Sequence, residues 1–153
     1  MQMNRWWLVG LITALLLASK AEMGHTAITT PHDSVPDFCA SPTIQSVASG
    51  RWSSPATWSP ARVPTANDRV LVAAGKSVVF DVVQSAALEC VGIHGQLTFD
   101  AAINTKLWVG EVMVYSDGDL QIGTTSQPIP ANVSAEIVIA NKPLNTQTDP
   151  DQY

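Results

Sequence analysis

The side chains in this sequence best suited to chemistry are carboxylates and indoles. Asp68, Asp81, Asp100, Asp117 and Asp119 all fall at expected turns or strand ends. Two carboxylates about 5–10 Å apart would serve glycoside hydrolysis, and Asp68 and Asp81 are the candidate acids for it. A denser cluster would hold Ca2+, for which Asp117-Gly118-Asp119 is the nearest approach. That triplet lacks the third ligand and the distal Glu of an EF-hand loop, so an Asx or glycine turn is its expected role. No metal or cofactor is assigned. Trp52 and Trp58 stand close to Arg51, and an indole face matches the C–H face of a pyranose ring. Arg51, Trp52 and Trp58 are therefore candidate glycan contacts. The competing role for the two indoles is to plug an open end of the fold, each burying on the order of 200 Å2.

Other reactive types carry less. His94 stands alone beside Gly95 with no motif marking a serine or cysteine nucleophile, and reads as a turn residue. Trp108 sits in a strand-like run, where core or sheet face is its expected place. His25 and His32 have no cysteine partners nearby, and a two-histidine metal site is not built from them. Asn132-Val133-Ser134 matches an N-glycosylation sequon, which implies an exposed loop.

The elements that must position these groups begin in residues 49–81. Gly50, Pro55, Pro60 and Pro64 punctuate a loop whose prolines remove donors and fix φ, so no helix is expected there. The loop feeds Arg69-Val70-Leu71-Val72 and Ser77-Val78-Val79-Phe80, two β-branched runs flanking Ala73-Ala74-Gly75-Lys76. Similar units centre on Gly95 and Gly118, 20 and 23 residues further on in turn. Apolar residues alternate as Val70/Val72, Leu97/Phe99, Val112/Val114 and Leu120/Ile122, the period of strands with one buried face. Thr43-Ile44-Gln45-Ser46-Val47 and Ala135-Glu136-Ile137-Val138-Ile139 read as further strands, and no amphipathic run long enough for a helix is found. Units that recur every 20-odd residues, each unable to bury its own face, predict an all-β fold, a right-handed parallel β-helix or β-solenoid. A meander sandwich is the runner-up.

The N-terminus sets the compartment. Residues 8–18 form an uninterrupted apolar run of eleven behind Arg5, too short for the about 20 residues of a membrane span and right for a signal-peptide core. Small residues at Ser19 and Ala21 place cleavage after Ala21, so residues 1–21 read as a signal peptide with no membrane span after its removal. Residues 22–42 read as a flexible arm, 43–140 as the folded domain and 141–153 as a polar tail. No strand follows to close the stack, which suggests the N-terminal part of a longer protein. The mature chain would carry six basic against thirteen acidic residues. Nucleic acid is an unsuitable partner, because phosphate binding needs clustered Lys and Arg. Cys39 and Cys90 are the only cysteines, and behind a signal peptide an even count reads as one disulfide, the alternative being two buried thiols.

Taken in order, several of these residues resemble a known pattern: Ser49-Gly50-Arg51-Trp52-Ser53 with Pro55 and Thr57-Trp58; Val63-Pro64 with Asp68 and Val70; Gly75 with Val78 and Asp81; Leu88, Ile93 and Gly95 with Leu97 and Phe99; Gly118 with Leu120 to Thr124 and Pro128. This resembles the G-eight domain, an extracellular family named for its eight conserved glycines. It occurs in hyaluronan-depolymerising and hyaluronan-binding cell-surface proteins, fibrocystin and microbial secreted proteins. The resemblance implies signal peptides, parallel β-helical architecture and hyaluronan as a substrate class. The combined expectation is a secreted module for recognising carbohydrate, or another component of the extracellular matrix. The alternatives are the N-terminal part of a polysaccharide-degrading enzyme and a structural cap of a longer β-helix.

Overall fold

The computed structural model of the chain describes residues 37–142. The expected signal peptide, all but the last six residues of the arm, and the tail beyond Lys142 lie outside the described residues. Within them the elements follow in the order β1 (Ile44–Ser46), β2 (Gly50–Arg51), one 3-10 turn (Pro55–Thr57), β3 (Trp58–Ser59), β4 (Arg69–Val72), β5 (Ser77–Phe80), β6 (Leu88–Ile93), β7 (Gln96–Phe99), β8 (Thr105–Val114), β9 (Asp119–Gln121) and β10 (Ala135–Ile139). The 3-10 turn corrects the expectation of a wholly non-helical loop. Pro55 opens it, where a missing N–H costs nothing.

The chain is all-β, but the expected right-handed parallel β-helix is not what the strands build. They form two separate sheets, one of six strands in the order β10-β8-β6-β4-β1-β3 and one of four in the order β2-β5-β7-β9. The six-stranded sheet is mixed, because β3 runs antiparallel to β1 while the other pairs are parallel. Successive strands from β4 onward alternate between the two sheets, which also removes the meander alternative. The repeat in the sequence records this alternation. It says that each strand has one buried face and carries no information on whether sheet edges join, and closure into a solenoid was the step that the pattern did not support.

Between the sheets lies the core. Val70 and Val72 of β4, Val78 and Phe80 of β5, Leu97 and Phe99 of β7, and Leu107 and Val109 of β8 are all buried. Each such side chain contributes roughly 1.5–3 kcal/mol on burial. Inward parity slips once, at the same height in two neighbouring strands. In β6 the core residues are Leu88, then Val91 and Ile93; in β8 they are Leu107 and Val109, then Val112. Since Leu88 is registered with Val109 and Val91 with Val112, both strands shift together. The shift releases Cys90 and its register partner Glu111 from the inward row.

Cys90 then forms a disulfide with Cys39. The segment before β1 is thereby held against the six-stranded sheet, and Arg69 reinforces it by donating from Nη2 to the Phe38 carbonyl at 2.8 Å and from Nε to that of Ala40 at 2.9 Å. Gly92 allows this approach, since a Cβ there would meet Tyr115 at 3.2 Å and Cys39 at 3.5 Å. The Tyr115 hydroxyl donates to Asp37 Oδ1 at 2.6 Å, and burial together with that carboxylate pushes the phenol up to about 12.

Candidate functional site

Strand alternation on the four-stranded sheet sends Val78, Phe80, Leu97 and Phe99 inward, so their neighbours face out. Register then aligns those neighbours across all four strands: Arg51 with Val79, Val79 with Thr98, and Thr98 with Gln121. This row floors a groove of about 580 Å3. Asp100 to Ala102 border it, and Gly123, Thr124, Gln127, Pro128 and Pro130 form a wall. The wall is self-braced, with Gly123 at a φ of 68°, the Thr124 amide donating to the Gln127 carbonyl, and the Gln127 amide donating to Thr124 Oγ1, both at 2.9 Å.

Arg51 anchors one end. Its Nη1 donates to Asp81 Oδ2 and to Asp100 Oδ2, each at 3.1 Å, and the side chain remains 59% exposed. Asp81 also accepts from the Ser53 amide at 2.9 Å and the Ser53 hydroxyl at 2.7 Å. Burial alone would raise its pKa, but the two Ser53 donors and Arg51 outweigh that and hold the carboxyl below its ordinary value. On β9, outside the groove lining, Asp119 Oδ2 accepts from Gln96 at 3.1 Å and from the groove residue Gln121 at 2.6 Å. The groove is thus lined by fixed polar groups that both donate and accept.

The remaining candidates fall elsewhere. Trp52 and Trp58 are buried, at 0% and 1% exposure, so their ring faces meet other side chains and not solvent. They pack edge-on at 4.8 Å, Trp52 does the same against Phe80 at 4.9 Å, and Trp58 Nε1 donates to the Trp52 carbonyl at 2.8 Å. Among the described residues the Trp52 indole nitrogen has no hydrogen-bond partner. Asp68 is distant in role from Asp81: it takes both guanidinium nitrogens of Arg62, at 2.6 and 2.7 Å, the Thr65 amide at 2.7 Å and the Thr43 hydroxyl at 2.8 Å. The Arg62 hydrogen bonds, acting against burial, hold its carboxyl well below the carboxylate range, so at neutral pH it has no proton to give. His94 stacks on Tyr115 at 3.8 Å and its Nδ1 lies 2.6 Å from Asp117 Oδ1. Trp108 is half-buried beneath Lys106, whose Nζ lies 5.5 Å from the ring centroid. Among the described residues no three His, Cys, Asp or Glu side chains gather as a metal-binding group.

Arg51 is the one sequence candidate for ligand contact that lines the groove. Thr98 and Gln121 were missed, although a signal existed. Thr98 and Gln121 each follow the glycine of their unit by three residues and Val79 follows its glycine by four, so aligning the units by glycine puts Thr98 and Gln121 in one column and Val79 one place beyond it.

Residues 57–153 match the family model of the G8 domain. The chain belongs to the G8 domain family. No curated protein and no solved structure is significantly similar to it. G8 is an extracellular domain family, and the Cys39–Cys90 disulfide agrees with an oxidising compartment. Among the described residues no helix is long and apolar enough to cross a membrane. The family match begins at Thr57, so Arg51 lies just ahead of the matched residues while Asp81, Thr98, Asp100 and Gln121 lie inside them.

Proposed function

We propose that this G8 domain is a secreted recognition module that binds carbohydrate of the extracellular matrix in the groove on its four-stranded sheet. The observation carrying this reading is the in-register outward row of Arg51, Val79, Thr98 and Gln121 beneath a braced proline-bearing wall. Sugar hydroxyls need groups that donate and accept at fixed positions, and guanidinium, hydroxyl and amide supply them. The apolar Val79, Pro128 and Pro130 suit the C–H faces between those hydroxyls. The buried indoles are the foundation of the site: Trp52 follows Arg51 directly, and its amide donates to the Val79 carbonyl at 2.8 Å, which fixes the strand that presents Arg51.

A glycan-array screen of the secreted chain, paired with Arg51→Ala, tests the reading. Arg51 is exposed, so the variant is expected to fold with its melting temperature lowered by only a few degrees. At least one glycan class should bind the native chain and lose roughly tenfold or more in affinity in the variant. A folded chain that binds no glycan, or binds one equally well without Arg51, would refute it. Any glycan hit is then assayed for chain shortening, which would favour the polysaccharide-degrading alternative.

A further inference from the structure

Resting on the glycan reading above, we infer that the groove takes a linear, uncharged polysaccharide laid across the strands, with one sugar over each strand. Neighbouring strands in a sheet lie about 4.8 Å apart, so the row from Arg51 to Gln121 spans roughly 14 Å. The spacing of about 4.8 Å between neighbouring strands is close to the length of one pyranose residue in an extended chain. A polymer crossing β2, β5, β7 and β9 at right angles therefore meets a side chain of the row at every residue, and the match persists along the groove. A chain lying parallel to the strands would instead meet alternating inward and outward positions and lose the register.

Charge selects among such polymers. Arg51 is the one cation among the residues lining the groove, and its Nη1 is already shared between Asp81 and Asp100. The one guanidinium at the border is thus already matched by two carboxylates. A uronate polymer would bring a further carboxylate to a groove whose described lining residues offer no unpaired cation to receive it, whereas a neutral or N-acetylated sugar presents groups that Thr98, Gln121 and Gln127 satisfy without net charge. This separates the chain from the uronate-containing hyaluronan that the family resemblance implies.

The test is calorimetric titration of the secreted full chain with cello-, xylo-, manno- and chito-oligosaccharides of increasing length, and with hyaluronan and galacturonate oligosaccharides as the anionic set. The expected result is binding by a neutral series whose affinity rises to about four sugars and then levels. That affinity should exceed every anionic ligand by roughly tenfold and stay constant between about 50 and about 300 mM NaCl. Gln121→Ala and the near-isosteric Thr98→Val should each weaken it roughly threefold to tenfold at unchanged circular dichroism. Tighter anionic binding that weakens in salt and in these variants would overturn the neutral assignment while leaving glycan recognition standing. Affinity that does not grow beyond one sugar would overturn the crosswise geometry. Binding indifferent to both variants would place the ligand outside the groove and overturn the inference, and a folded chain silent to every probe would remove the glycan reading itself.

Discussion

Asp68 shows how a residue type suggests one chemistry and its surroundings assign another. At a turn before β4 it reads from sequence as a candidate acid, yet it takes a bidentate guanidinium, an amide and a hydroxyl. Its role is to tie the loop holding Arg62 and Thr65 to the start of β4 and to the residue before β1. Its carboxyl is depressed in the folded chain, mainly by Arg62. The stability it contributes is therefore present above the unfolded value near 3.9 and is lost as pH falls below that value. Arg62 is 41% exposed, so solvent screens the pair, and Asp68→Asn should cost about 2 kcal/mol at neutral pH instead of the 3–5 of a fully buried pair. Urea denaturation from pH 7 down to about 2 checks this: native and variant curves should converge as the acid limb is reached. Nothing in the sequence pointed to Arg62 or Thr43 as the partners, because side chains six and 25 residues away meet only through the fold.

At the scale of elements, strands were the most legible part. Arg69–Val72, Ser77–Phe80 and Ala135–Ile139 stand where alternation and β-branching placed them, because a half-buried strand needs no long-range information to be recognised. The glycines that marked the repeat were also legible, but for two different reasons. Gly75 has a φ of 71° and open space around it, while a Cβ on Gly95 would collide with the carbonyl oxygens of Lys76 and Ala73, and one on Gly118 with that of Ile93. The first is a conformational requirement, and the other two are demands of the turn lying directly beneath. Gly75→Ala should therefore cost about 1–2 kcal/mol. Gly95→Ala and Gly118→Ala should each cost more than about 3 kcal/mol, because backbone must move. Thermal melts of the three variants distinguish the cases, and equal losses would contradict the stacking account. The parity slip in β6 and β8 was not legible, since a window reading period two has no way to register that both strands shift at one height.

For the molecule as a whole, the site was harder to read than the fold. Arg51 was visible next to Trp52 and near Trp58, but only packing decides which of these side chains faces water, and here the rings went inward. The link between Cys39 and Cys90 closes a loop with a sequence separation of 51, and the chain-entropy estimate gives about 4 kcal/mol for it. Replacing both cysteines with alanine should lower the unfolding free energy by roughly that amount, with urea midpoint as the readout; a change below about 1 kcal/mol would show that the unfolded chain is already compact there. The same bond has a mechanical meaning. A pull applied to the two ends of the described chain passes from Cys39 straight to Cys90 and bypasses β1 to β5 altogether. Those strands bear no load, and roughly 170 Å of extension stays locked away until the bond is reduced. Tension is then carried by β6 and the strands beyond it, so two of the four strands that floor the groove, β2 and β5, would keep their internal pairing while β7 and β9 take the strain.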